Sequence, residues 1–170
     1  ISGTLSYTSS GVHSVTVRAT DDGSPSLFDV VAFSWSVANT NRQPVVVSPG
    51  NQSDAENGSI RLPISGYDPD LNTLTWTATG LPPNLVIDPA TGTISGTLSY
   101  ASAGTHSVTV RATDDGSPVL FAEVAFTWSV ANTNRAPVVA YPGAQSDAEN
   151  DVVSVAVSGS DPDGNGLTWS

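Results

Sequence analysis

A direct repeat constrains this chain more than any other feature of its sequence. Residues 1–77 align with residues 94–170 without a gap, at a constant offset of 93, and 55 of these 77 positions are identical. For example, ISGTLSY occurs at Ile1 and Ile94, and WSVANTNR occurs at Trp35 and Trp128. Because the period exceeds the roughly 20 to 50 residues of solenoid repeats, each unit is expected to have its own core. The sequence therefore predicts a slice of a tandem array of small domains.

Two polar segments indicate where the units begin and end. NTNRQP begins at Asn39 and NTNRAP begins at Asn132, each directly after an apolar alternating run. Polar residues followed by proline are typical of a linker. We therefore predict three parts: residues 1–39 as the C-terminal part of one repeat, residues 40–132 as a complete repeat, and residues 133–170 as the N-terminal part of the next.

Apolar residues of the complete unit alternate with period two, which is the pattern of half-buried strands. Turn signals such as YDPD at Tyr67 and DDGSP at Asp114 separate the alternating runs, and no window has a helical period. About seven short strands in roughly 93 residues predict an all-β antiparallel sandwich. The side chains expected inside it are Ile60, Leu62, Ile64, Leu74, Trp76, Val108, Val110, Phe126 and Trp128.

Composition and repeat position argue against an enzyme. The chain has no cysteine, and its five basic residues are all arginine. This excludes thiolate nucleophiles, cysteine-ligated zinc and lysine Schiff bases. His13 and His106 occupy one repeat position, so a unit has a single histidine, which we expect to be structural and partly buried. We predict no catalytic residue.

The four tryptophans occupy two repeat positions on the apolar side of their strands, so we expect all four in cores. They are Trp35, Trp76, Trp128 and Trp169. Carbohydrate binding needs exposed aromatic faces, and the remaining candidates for it are Tyr7, Tyr67, Tyr100 and Tyr141.

The net charge of the chain indicates which classes of binding partner to expect. The formal net charge is −11 at pH 7. Nucleic-acid binding depends on Lys and Arg, so no nucleic-acid partner is expected, and divalent cations are favoured instead. No apolar run approaches the roughly 20 residues that cross a bilayer, so we expect no membrane insertion in this segment.

Several motifs, taken in order, resemble a known family. VTVRATDDGSP and NTNRQP resemble the closing strand, turn and linker of a cadherin repeat, and SDAENG with YDPDLN resembles its beginning. LPPNLVIDPATGTISGT is similar to the dystroglycan-type cadherin-like and immunoglobulin-like repeats of large bacterial surface proteins. The resemblance covers nearly the whole chain. It implies an immunoglobulin- or cadherin-like sandwich and calcium as a cofactor at the domain junctions.

The resemblance also implies calcium ligands, because cadherin junctions gather oxygen atoms from both neighbouring units. At the first junction these would be Asn39, Asn41, Asp68, Asp70, Asn72 and Asp114. At the second junction they would be Glu56, Asn132, Asn134, Asp161, Asp163 and Asn165.

The sequence departs from the cadherin pattern at two places. LSYASAG stands where cadherins have LDRE, and Arg42 or Arg135 stands where the linker would carry an acidic residue. These departures favour one ion per junction over a cluster. In the alternative, the guanidinium of Arg42 or Arg135 is itself the junction's cation, because it can bridge carboxylates. A third interpretation treats DPD as a polar turn only.

These observations favour a non-enzymatic, extracellular spacer from a bacterial surface adhesin, stalk or fibre. Its expected partners are neighbouring repeats, other copies of itself, and a cell-surface glycan or protein. The alternative is a carbohydrate-binding or spacer module attached to a secreted hydrolase.

Overall fold

The computed structural model describes all of residues 1–170 and consists of strands, turns and loops, with no helix. Its thirteen strands are β1 (Gly11–Thr20), β2 (Phe28–Val37), β3 (Val45–Val47), β4 (Gln52–Ala55), β5 (Ser59–Pro63), β6 (Ser65–Tyr67), β7 (Thr75–Thr79), β8 (Leu85–Ile87), β9 (Thr93–Thr97), β10 (Gly104–Thr113), β11 (Phe121–Ala131), β12 (Val138–Val139) and β13 (Gly159–Ser160).

Strands β3 to β11 form a two-layer sandwich. One sheet has the order β4-β11-β10-β7, and the other contains β5-β9-β8 together with the β3-β6 pair. Only Ile64 separates β5 from β6, and its N–H donates to the carbonyl of Gly92 (3.1 Å), so the two form one interrupted strand. The predicted all-β sandwich is confirmed. It is not purely antiparallel, however, because β4 runs parallel to β11, with Gln52 opposite Trp128.

The alternation correctly identifies the core. Six of the nine expected side chains are buried, and the other three, Ile60, Leu62 and Leu74, are partly buried against them. The middle of the unit adds three core residues that alternation does not indicate, Leu85, Ile94 and Leu98, while Ala112 and Val130 continue the alternating buried faces of β10 and β11.

The flanking parts are simpler. Residues 1–39 contain the β1–β2 hairpin, and residues 133–170 contain the short β12–β13 pair. Trp128 is 1% exposed and Trp76 is 5% exposed, whereas their repeat counterparts Trp35 and Trp169 are 41% and 51% exposed. The expectation that all four tryptophans are core is therefore wrong for Trp35 and Trp169. Strands β5, β8 and β9 form the sheet opposite Trp128. Residues 1–39 contain no counterpart of β5 or β8, and residues 1–4, which correspond to most of β9, form no strand that could cover Trp35.

Candidate domain junctions

A tight turn follows β6 and is repeated after β13. The carboxylate of Asp68 accepts the N–H groups of Asp70 (2.8 Å) and Asn72 (3.2 Å), as expected where an aspartate caps its own turn. Asp161 accepts two N–H groups at the same distances in the next repeat. Leu71 has φ of 65° in the first turn, and glycine takes this left-handed position in the second. Each turn presents its second aspartate to the linker.

At the first junction, Arg42 binds this turn through its backbone N–H and two of its guanidinium nitrogens. Its backbone N–H donates to Asp70 Oδ2 (2.7 Å), and its Nε and Nη2 donate to Asp70 Oδ1 (3.0 and 2.6 Å). Nη2 also donates to the carbonyl of Pro69 (2.6 Å). The Asp70 side chain is 4% exposed, so the pair is shielded from water on the aspartate side. These contacts attach the linker to the following unit.

The second junction repeats this geometry with different residues. The backbone N–H of Arg135 donates to Asp163 Oδ2 (2.5 Å), and its Nε donates to Asp163 Oδ1 (2.9 Å). Nη2 donates to the carbonyl of Pro162 (2.6 Å) and lies 2.8 Å from Asp163 Oδ1. The carboxylate partner of Arg135 is thus Asp163, while Asp161 closes the turn.

Hydrogen bonds from the arginine side chains hold the pKa of Asp70 and of Asp163 below the ordinary aspartate value. A lowered folded-state pKa means that the charged carboxylate stabilises the folded state above the unfolded pKa of about 3.9, and that this contribution disappears as the pH falls through the lowered value. The same hydrogen bonds raise the pKa of Arg42 and Arg135, which stay charged throughout.

The lowered pKa of Asp70 predicts how the stability of the chain depends on pH. The melting temperature of the chain should exceed that of its Asp70→Asn variant by a constant amount between about pH 5 and 7, and the difference should shrink as the pH falls below about 4. Thermal melts followed by circular dichroism measure it. Asp22→Asn, an exposed aspartate, is the matched control. A difference that stays unchanged down to about pH 2 would contradict the assignment.

The first junction also holds buried oxygen atoms without donors. Asn41 Nδ2 donates to Asp114 Oδ2 (2.9 Å), and Asp114 Oδ1 accepts the N–H groups of Gly116 and Leu120. Burial acts to raise the pKa of Asp114, but these hydrogen bonds outweigh it and lower the pKa. No hydrogen-bond donor reaches three buried acceptors, which are Asn41 Oδ1, Asp68 Oδ2 and Asn72 Oδ1.

The second junction uses its oxygens differently. Asn165 Nδ2 donates to Asn134 Oδ1 (2.5 Å). Glu56 is 4% exposed, and its two carboxylate oxygens accept the N–H groups of Ala103 (3.1 Å) and Thr133 (3.0 Å). The Glu56 carboxylate therefore ties together two loops at the end of the complete unit.

Not every expected ligand belongs to a common cluster. Asn132 lines a shallow pocket with Glu56, Arg135 and Asp163, whereas Asn39 lies in a different pocket beside Leu5. No group of three or more His, Asp or Glu side chains is placed to hold a metal ion. A cation site at the first junction would therefore depend on amide oxygens as well as carboxylates.

Sequence reasoning missed one junction contact. The Arg42 guanidinium lies over the ring of Tyr7 with 5.0 Å to the ring centroid, and Arg135 lies over Tyr100 at 4.8 Å. The shared offset of 93 for the tyrosines and the arginines is the signal that could have suggested the pairs. From the sequence, these tyrosines are candidates for sugar binding only.

His106 is partly buried, as expected, and its Nε2 bonds the carbonyl of Ser102 (2.8 Å). His13 makes the same contact with Ser9, although it is exposed.

No helix in the structure is long and apolar enough to span a membrane.

Comparison with solved structures finds cadherin ectodomains. The chain is similar to protocadherin gammaB7 EC3-6 (TM-score 0.60, 21% identity, covering 94% of this chain and 45% of that one). It is also similar to mouse cadherin-23 EC22-24 (TM-score 0.60, 19% identity, 94% and 57%) and to protocadherin gamma B2 domains 1-5 (0.59, 23%, 73% and 27%). The chain thus spans less than two thirds of each, and identities this low show a shared fold.

A search of curated proteins finds no match. A protein-family model described as "Putative Ig domain" matches residues 43–131, which is more than half of the chain. The matched residues include the whole two-sheet sandwich and its core. With this match and the cadherin-like fold, the chain belongs to the "Putative Ig domain" family of immunoglobulin-like, cadherin-like repeats.

Proposed function

We propose that this chain is a non-enzymatic segment of an extracellular tandem array, in which successive sandwiches are held at a fixed angle as a spacer or load-bearing element. The array would belong to a bacterial surface adhesin, stalk or fibre. The observation that carries the proposal is the repeated junction: Arg42 with Asp70 and Arg135 with Asp163 make matching contacts. If every junction has the same geometry, successive units are related by the same rotation and translation, and the array is regular.

Two further observations support a structural role. Each histidine bonds a backbone carbonyl next to its own strand, which is the role of a structural side chain. Tyr7 and Tyr100 each have an arginine over one face of the ring, and that face is not free for sugar stacking. We therefore favour the spacer over the carbohydrate-binding module.

We also propose that one calcium ion stiffens a junction of this kind. Calcium takes about 6 to 8 oxygen ligands, and carboxylate and amide oxygens suit it. The first junction offers such oxygens, three of which lack any donor. The residues that would hold the ion are Asn41, Asp68 and Asn72, each of which has a buried oxygen without a donor. Asp70, Asp114 and Glu56 are less suited, because both oxygens of each already accept N–H groups.

The calcium proposal predicts a stability change. For a dissociation constant of about 0.1 to 1 mM, typical of extracellular sites, about 10 mM calcium should stabilise the complete unit by about 1.4 to 2.7 kcal/mol. Urea unfolding in calcium and in EDTA measures this difference, and calorimetric titration measures the affinity.

The Asp68→Asn variant separates a specific site from general charge screening. It keeps the shape of the side chain and the acceptor of the turn, but it removes one buried negative charge. Calcium should no longer stabilise this variant, while Asp22→Asn should respond as the parent chain does. Identical unfolding curves of the parent chain in calcium and in EDTA would rule out the ion.

A further inference from the structure

We propose that each junction contains a metal-independent latch, in which an arginine of the linker is held between a tyrosine of the preceding unit and an aspartate of the following unit. This inference rests on the proposed spacer function and specifies how neighbouring units are oriented. The two latches are Tyr7–Arg42–Asp70 and Tyr100–Arg135–Asp163.

The aspartate side of the latch has directional contacts. A guanidinium is planar and presents donors in a fixed fork, so pairing through both Nε and Nη2 fixes its orientation as well as its position. Arg42 makes this double contact with Asp70, and its backbone N–H binds the other carboxylate oxygen. The arginine side chain is 31% exposed and the aspartate 4%, so solvent screens the pair less than an exposed ion pair.

The tyrosine side of the latch spans the junction. Tyr100 lies in the loop between β9 and β10 of the complete unit, while Asp163 belongs to the following unit. A guanidinium within about 6 Å of a ring centroid is attracted by the negative face of the ring. The Arg135 guanidinium satisfies this at 4.8 Å from Tyr100 while it holds Asp163. One side chain therefore contacts both neighbours.

The two junctions can be compared with each other, because they occupy equivalent positions of the repeat. At both junctions the tyrosine precedes the arginine by 35 positions, and the aspartate follows the arginine by 28. The ring distances agree within 0.2 Å, and the carbonyl of the intervening proline accepts from Nη2 in both cases (2.6 Å). The geometry therefore belongs to the repeat unit.

The latch needs no metal ion, because its arginine supplies the positive charge. Both oxygens of Asp70 are occupied by Arg42, so the proposed calcium ligands lie beside the latch and do not compete for this carboxylate. Removing calcium should then leave the arginine contacts in place. This separates the latch from the cation site experimentally.

The first measurement reads the arginine contacts in the full 170-residue chain. With ¹⁵N-labelled arginine in EDTA, the Nε–H groups of Arg42 and Arg135 should exchange with water at least about tenfold more slowly than that of Arg61, which is exposed. Arg111 is a second control, because its Nε also donates to a carboxylate, that of Glu123, but both side chains are over 40% exposed. Exchange of Arg42 and Arg135 as fast as that of Arg61 would overturn the latch.

The second measurement reads the orientation of the units. The chain lacks cysteine, so spin labels can be placed uniquely at Ser34→Cys in β2 and Thr79→Cys in β7, both of them exposed positions. In EDTA the parent chain should give a narrow distance distribution. Arg42→Lys keeps the charge but lacks the fork, and Tyr7→Leu lacks the ring, so each should broaden the distribution.

Matched substitutions away from the first junction, Arg61→Lys and Tyr141→Leu, both at exposed positions, should leave the distribution narrow. A parent distribution as broad as that of Arg42→Lys, or a distribution unchanged by both latch variants, would overturn the proposal. Calcium added to Asp68→Asn tests the cation site alone. Failure of the arginine latch is therefore distinguishable from failure of the calcium site.

Discussion

Replacing Trp128 with alanine is expected to destabilise the complete unit by about 3 to 5 kcal/mol, because removal of a buried tryptophan leaves a cavity between the two sheets. Trp128 is 1% exposed, lies 6.1 Å from the Phe126 ring centroid, and donates its indole N–H to Asp54 (2.8 Å). Urea unfolding followed by far-ultraviolet circular dichroism gives the free energy of unfolding without relying on tryptophan fluorescence.

The chain supplies a matched control for this substitution. Trp35 has the same repeat position and nearly the same neighbours in sequence, with Ser34 in place of Thr127, but it is 41% exposed. Trp35→Ala should change the unfolding free energy of the complete unit by less than about 0.5 kcal/mol. Equal effects of the two substitutions would contradict the conclusion that the complete unit has its own core and unfolds independently of residues 1–39.

Glu56→Ala is expected to be the second most damaging change. It removes the buried carboxylate that accepts the N–H groups of Ala103 and Thr133, and a hydrogen bond to a charged group contributes about 1.5 to 3 kcal/mol. We therefore expect a loss of about 2 to 5 kcal/mol in the free energy of unfolding, in EDTA as well as in calcium.

Glu149 is the repeat counterpart of Glu56 and is exposed. Glu149→Ala should stay within about 0.5 kcal/mol of the parent chain. If Glu56→Ala were harmful only in calcium, Glu56 would be an ion ligand, as the resemblance to cadherins implies, and its role in joining the two loops would be secondary.

How far the candidate site could be predicted depended on the residue. Arg42 and Arg135 stood out because they interrupt a polar linker where a cadherin has an acidic residue. Their pairing with the second aspartate of each turn was one of several options, because sequence spacing alone does not decide which carboxylate a guanidinium reaches. The tyrosines were not recognised as partners, since 35 residues of chain separate each from its arginine.

The sequence by itself determined the fold class, the repeat and most of the core. Period-two alternation is a local property of a strand, so it marks the inward face of Val108 or Phe126 without knowledge of the partner strands. The tertiary structure alone decided which copies of a repeated residue are buried and which oxygens remain free. Trp35 and Trp128 share a local sequence, yet only Trp128 is covered. Burial and hydrogen bonding depend on strands distant in sequence, and identical local segments cannot encode which of those strands are present.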